Sequence, residues 1–131
     1  MKEPVFLELD EVIEIHRNQI ELYGGPAGIR DIELLKSAIM MPPATFGGEY
    51  LHKNLYEMAA AYLFHIARNH PFIDGNKRTG AAAAAIFLLM NGIELDADED
   101  SFERMVRSVA EGKTGKSIIA KYFRENSIVI K

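Results

Sequence analysis

The sequence predicts an all-α domain: a bundle of about six helices with a central buried helix and one small loop or hairpin. Three observations point there. Apolar residues recur at helical spacing in separate stretches along the chain. Glycine and proline punctuate those stretches at Gly24-Gly25-Pro26, Pro42-Pro43 and Asn91-Gly92. Mid-chain, Gly80 and five alanines run into Ile86-Phe87-Leu88-Leu89-Met90, a combination of strong helix formers and small side chains that lets helices approach closely.

Taken in order, Asp10 as N-cap precedes Val12, Ile13, Ile15, Ile20 and Leu22, which form an amphipathic first helix stopped by Tyr23-Gly24-Gly25-Pro26. Arg30-Asp31-Ile32-Glu33-Leu34-Leu35 opens a short second helix that ends ahead of Pro42, because proline disfavours α conformation in the residue before it. Residues 42 to 52, rich in Pro, Gly and aromatics, form a loop or small hairpin. Asn54 and Glu57 have capping-box spacing and launch a third helix through Met58, Leu63, Phe64 and Ile66, which belongs in the core. His70 to Asn76 interrupt it, and the alanine-rich stretch follows as a central fourth helix closed by Asn91-Gly92. The acidic loop 94–100 leads to a fifth helix at about 100–111. A sixth spans Thr114 to Glu125 with Ile118, Ile119, Tyr122 and Phe123 inward. The tail, Ser127 to Ile130, is expected to pair with Val5 to Leu9.

The 131 residues suit a single domain, 1–131. Hydrophobic residues at 48% and charged residues at 26% are typical of a soluble globular protein. With no cysteine, disulfides and thiolate metal sites are excluded, and a cytoplasmic location is expected. A net charge of −4 gives no general drive toward nucleic acid or anionic lipid. The N-terminus lacks the apolar region of a secretory signal, and the apolar run Gly80–Met90 is shorter than the roughly 20 residues that span a bilayer.

Several short patterns fail on spacing. Gly112-Lys113-Thr114 and Gly115-Lys116-Ser117 lack the leading glycine of a P-loop, and Asp96, Asp98 and Asp100 lack the glycine and closing glutamate of a calcium loop. They read as helix-flanking turns and a solvated acidic loop that caps the next helix. His16 and His65 have no ligand-type partner four residues on and read as polar tips or satisfied core histidines, and His52 as exposed.

The segment His70 to Arg78 differs because complementary chemistry converges at a helix start. Gly75 and Asn76 tolerate tight-turn dihedrals, and the N–H groups that follow lack intrahelical partners, which makes an anion nest at a positive dipole end. Lys77 and Arg78 add cations suited to phosphoryl oxygens. Asp74 is placed to hold the Mg²⁺ that accompanies a nucleotide triphosphate. His70 is suited by its ordinary pKa of about 6.5 to take a proton from a hydroxyl. Phe72 reads as an apolar peg for the loop. On spacing alone a plain turn stays open, with Asp74 capping the next helix and Lys77 and Arg78 solvated.

These residues resemble the Fic/Doc signature H-x-F-x-[D/E]-G-N-[G/K]-R, which His70, Phe72, Asp74, Gly75, Asn76, Lys77 and Arg78 all match. Leu22 through Gly28-Ile29-Arg30-Asp31 to Pro42 is similar to the death-on-curing (Doc) branch. The resemblance implies an all-helical domain whose flap, residues 43 to 52, aligns a target segment as an added strand. It implies His70 as base, Asp74 as Mg²⁺ ligand, and Gly75, Asn76, Lys77 and Arg78 as a clamp for the phosphates of ATP. Arg68 is a further phosphate-binding candidate, with a surface role as the alternative.

Many Fic enzymes, which attach AMP, carry Gly at the position of Lys77 and Arg at that of Ala81. Both changes are Doc-like and imply a kinase that transfers the γ-phosphate to a threonine of elongation factor Tu. AMP transfer is the runner-up, and a non-catalytic peptide-binding module is a third reading. The inhibitory pattern [S/T]-x-x-x-E-[G/N] is approached only at Thr45 to Glu49, where Tyr50 fills the last place. Restraint by a separate Phd-type antitoxin is therefore what the resemblance implies.

Overall fold

A computed structural model describes residues 3–130; Met1, Lys2 and Lys131, at the ends of the expected 1–131 domain, lie outside it. Its helices are α1 (Leu9–Tyr23), α2 (Ile32–Met40), α3 (Leu55–Asn69), α4 (Asn76–Met90), α5 (Glu99–Ala110) and α6 (Lys116–Glu125). Two short antiparallel pairs accompany them, β1 (Thr45–Phe46) with β2 (Glu49–Tyr50) and β3 (Ile93–Leu95) with β4 (Ser127–Val129). The expected all-α class with one small flap hairpin is what the chain adopts.

Helix starts follow local hydrogen-bond chemistry. Asp31 caps α2 by accepting from the N–H groups of Glu33 (3.0 Å) and Leu34 (3.1 Å), which would otherwise have no partner at a helix N-terminus. Asn54 caps α3 by accepting from Glu57 N (2.9 Å), while Glu57 reaches back to Lys53 N (2.9 Å). Asp98, at the end of the acidic loop, caps α5 through Ser101 N (2.9 Å). α1 starts two residues earlier than its sequence suggests: Glu8 is the N-cap and Asp10 lies in the first turn. Glu8 N donates to Glu11 Oε1 (2.9 Å), so the reciprocal pairing of those two residues sets the boundary.

The helix at the centre of the bundle is α3. Met58 to Leu63, Ile66 and Ala67 are all buried, and α3 packs against α2, α4, α5 and α6. The alanine-rich α4 is its most extensive partner rather than the centre itself; Leu89 and Met90 at the far end of α4 remain exposed. Gly80 explains the intimacy of that crossing. A Cβ there would stand 3.2 Å from the Leu63 carbonyl oxygen and 3.3 Å from Leu63 Cδ1, so any larger residue would push the two helices apart by a few tenths of an ångström. Tyr62, Phe87, Phe123, Leu88 and Ile119 fill the same core. Each large apolar side chain contributes about 1.5–3 kcal/mol through burial.

Three further expectations are corrected. The tail does not pair with Val5–Leu9; Ile93, Glu94 and Leu95 face Val129, Ile128 and Ser127, and Ile130 N donates to Gly92 O (2.7 Å). The Asn91-Gly92 turn sends the chain back alongside the tail, and the Asn91 amide binds the Val5 backbone instead (Val5 N to Oδ1 2.8 Å, Nδ2 to Val5 O 2.9 Å). α6 begins at Lys116, and its inward face is Ile119, Ala120 and Phe123, leaving Ile118 exposed one step round the helix. His52 is buried, not exposed, because the end of the flap folds over α6. Lys116 Nζ donates to Nε2 of His52 (3.3 Å) and of His65 (3.1 Å). Burial and the neighbouring Lys116 lower both imidazoles, His65 to about 4.

Candidate active site

The loop between α3 and α4 carries the predicted site, and its carbonyls from Asn69 to Phe72 and at Asp74, with the N–H groups of Phe72 and Ile73, are hydrogen-bonded within the fold. His70 closes α3 in the left-handed conformation (φ 50°, ψ 54°) and is the one non-glycine residue with positive φ among the described residues. That geometry costs a non-glycine residue about 1–2 kcal/mol, so its surroundings must hold it. The 28–31 linker does so. Arg30 donates from Nε to His70 O (2.6 Å) and from Nη2 to Asn69 O (3.0 Å). The backbone N–H groups of Arg30 and Asp31 both reach Pro71 O (2.8 and 3.0 Å), Ile73 N reaches Gly28 O (3.0 Å), and Ile29 bridges to Phe72.

Phe72 is 1% exposed and pegs the loop to the core, as its place in the sequence suggests. Its ring stacks on that of His16, with centroids 3.8 Å apart and an interplanar angle of 3°. His16 Nε2 in turn donates to Asp74 O (2.8 Å), which assigns the proton to that nitrogen. His16 is a satisfied core histidine, but the loop is what satisfies it. No local pattern reveals this, since the partners are 58 positions apart.

Asn76 is buried and folds its amide back on Phe72, accepting from its N–H (2.9 Å) and donating to its carbonyl (3.0 Å). Only its backbone N–H remains for a ligand. Gly75 is the N-cap of α4 (φ 76°, ψ 19°), with no side-chain cap and no acidic residue in the first turn. Among the described residues, the Asp74 carboxylate accepts no hydrogen bond from the first N–H groups of α4. Asp74 and Lys77 are exposed. A Cβ at Gly25 would collide with Asp74 Oδ2, so the glycine pair ending α1 makes room for that carboxylate. Arg78 Nη2 donates to Gly24 O (3.2 Å), and its guanidinium lies 5.4 Å over the Tyr23 ring. The α1 C-terminus, which has no basic residue in its last turn, thus holds the cation beside the α4 N-terminus.

His70, Asp74, Gly75, Asn76, Lys77 and Arg78 are brought together on one turn, with the imidazole of His70 exposed. Arg68 is placed differently: its exposed guanidinium reaches Ala110 O (3.5 Å) at the end of α5 and lies against Gly112. Two hollows of about 390 and 410 Å³ lie elsewhere, one lined by His52, Glu57, Lys116 and Arg124, the other between α1 and α4. At the candidate site His70, Asp74 and Lys77 face solvent, over a buried Gly75 and Asn76. At this turn an uncapped helix N-terminus, two cations and a carboxylate lie side by side.

Residues 6–88 match the Fic/DOC family. Toxin Doc of Mycolicibacterium smegmatis is 44% identical over 90 residues, covering 67% of this chain and 69% of that protein. Protein kinase doc of Escherichia phage P1 is 32% identical over 115 residues, 88% of this chain and 90% of that protein. The chain belongs to the Fic/DOC family. Among the described residues, no helix is long and apolar enough to cross a membrane.

Proposed function

We propose that this protein is a toxin-type Ser/Thr protein kinase, which transfers the γ-phosphate of ATP to a hydroxyl of a translation factor, elongation factor Tu, in the cytoplasm and so inhibits translation. The observation that carries this reading is the start of α4, where an uncapped N-terminus meets exposed Lys77 and tethered Arg78. The name of the phage P1 relative, a protein kinase, supports it.

The N–H groups of Gly75, Asn76 and Lys77 bind phosphoryl oxygens, and Arg78 adds a bidentate contact. Lys77 supplies a point charge that biases the triphosphate toward presenting its terminal phosphate. The donor set suits Mg²⁺, a hard cation that takes one or two carboxylates plus phosphate oxygens. Asp74, kept clear of capping and given room by Gly25, would hold it. When bound, the ion neutralises charge on the phosphates. His70 accepts the proton of the target hydroxyl as its oxygen bonds to the γ-phosphorus, and the bond from that phosphorus to the β,γ-bridging oxygen breaks to release ADP. The β1–β2 flap presents an edge on which a target segment adds as a strand. A Phd-type antitoxin is the partner that restrains the activity, through a tail that folds on binding.

ATP labelled at the γ-phosphate is expected to mark elongation factor Tu, with His70→Ala cut to a small residual rate of transfer while keeping nucleotide binding. Label arriving only from the α-phosphate, with a mass gain of one AMP, would move the assignment to the second reading, AMP transfer, which the Gly75-Asn76 turn shared with that signature favours. Nucleotide binding without any turnover would leave a binding module.

A further inference from the structure

We propose that Arg30, in the linker between α1 and α2, is the positioning residue that aims the imidazole of His70; this rests on His70 being the base, as proposed above. The reasoning is geometric. The direction in which the Cα–Cβ bond leaves the flanking backbone, and the rotamers then open to the ring, follow from the residue's φ and ψ, the two angles that relate the peptide plane before the residue to the plane after it. The carbonyl of Asn69 belongs to the plane before His70, and the carbonyl of His70 to the plane after it. The guanidinium of Arg30 grips both oxygens at once, at 3.0 and 2.6 Å. One rigid planar group therefore restrains the two backbone dihedrals from which the His70 side chain departs.

The same stretch fixes the next plane, because the N–H groups of Arg30 and Asp31 converge on Pro71 O (2.8 and 3.0 Å). The backbone that carries Arg30 is anchored on the next residue, where the Asp31 carboxylate caps α2 through Glu33 N and Leu34 N. A cation over the last carbonyls of α3 also sits at the negative end of that helix. Without it, the two carbonyls flanking His70 lose the side-chain restraint that opposes escape from the left-handed region (φ 50°), which its Cβ disfavours. Lysine is a poor substitute, since a point donor cannot hold two divergent carbonyls in one plane.

The decisive experiment compares wild type, Arg30→Ala and Arg30→Lys in steady-state transfer from Mg²⁺-ATP to a protein substrate. Arg30→Ala is expected to lower kcat about ten- to a hundred-fold, the penalty of misplacing a catalytic group by about 1 Å. The KM for ATP should stay within about two-fold, because the cradle at Gly75 to Arg78 is untouched. Arg30→Lys should fall between. In a His70→Ala background, Arg30→Ala should have no further effect, since the role is exerted through the imidazole.

Unchanged kcat in folded Arg30→Ala overturns the proposal, as does an equal loss in the His70→Ala background. If Arg30→Ala does not fold, the same comparisons are read from Arg30→Lys and Arg30→Gln. A crystal structure of the variant supplies a readout that needs no turnover. Departure of residue 70 from positive φ supports the assignment, and its retention refutes it. A wild type that transfers no phosphate, together with a variant that loses positive φ, would fail the proposed function and leave the positioning role standing.

Discussion

Replacing Asn76 with Ala removes both hydrogen bonds that close the loop, at 2.9 Å to the Phe72 N–H and 3.0 Å to its carbonyl. Phe72 is 1% exposed and Asn76 8%, so water has little access to the groups left behind. An unsatisfied buried donor or acceptor costs about 1–3 kcal/mol. Two such groups, partly relieved by relaxation of the loop, give a loss of about 2–4 kcal/mol. For a domain of 131 residues, 1 kcal/mol corresponds to a shift of about 3–5 °C in Tm. The expected drop is therefore about 6–20 °C, readable by calorimetry or by circular dichroism melts. Asn76→Asp keeps the acceptor for Phe72 N but sets an oxygen against Phe72 O, so its loss should be smaller yet clear. A Tm for Asn76→Ala within 2 °C of wild type would falsify the reasoning, because the amide would then be decorative and the loop held elsewhere.

Acidification should destabilise the fold through the cluster around Lys116. Burial first, and then Lys116 and His52, push His65 down to about 4, whereas an unfolded histidine titrates near 6.5. Its contribution to stability is thus complete above about 6.5 and is lost as pH falls toward 4, with lowered His52 acting in the same direction. Denaturant midpoints measured across that window should fall with pH, and His65→Gln should flatten the slope; a pH-independent midpoint refutes the cluster's role. At Gly75, φ is 76° and a Cβ would lie 3.3 Å from Ile20 Cδ1 and 3.4 Å from Arg78 Nη2. Gly75→Ala should therefore cost about 1–2 kcal/mol and weaken Mg²⁺-ATP binding by displacing Arg78. Calorimetric titration with wild-type affinity would contradict that.

The parts of the fold legible in the sequence are those written in local chemistry. Asp31, Asn54 and Asp98 cap helices where their residue type and position suggest. The proline pair ends α2, and the Gly-rich 43–52 stretch makes the hairpin. What escaped depends on partners far along the chain. The tail could have joined either of two short apolar segments, and the Asn91-Gly92 turn, not any strand propensity, chose Ile93–Leu95. His52 looks like a loop histidine until α6 delivers Lys116 beneath it. The candidate site divides in the same way. The residues of 70–78 announce themselves by spacing, but His16 and Arg30, which hold the turn from 58 and 40 positions away, carry no local signature.

The residues that grip the His70 loop, His16 and Arg30, precede the flap, while the turn they grip follows it. Gly47 and Gly48, at the tip of that hairpin, separate the two contributions with a solvent-facing joint. A chain severed there would yield two halves, one owning the chemistry and the other the scaffold that shapes it. Neither fragment would be active by itself, and turnover would return only when both are mixed and reassociate.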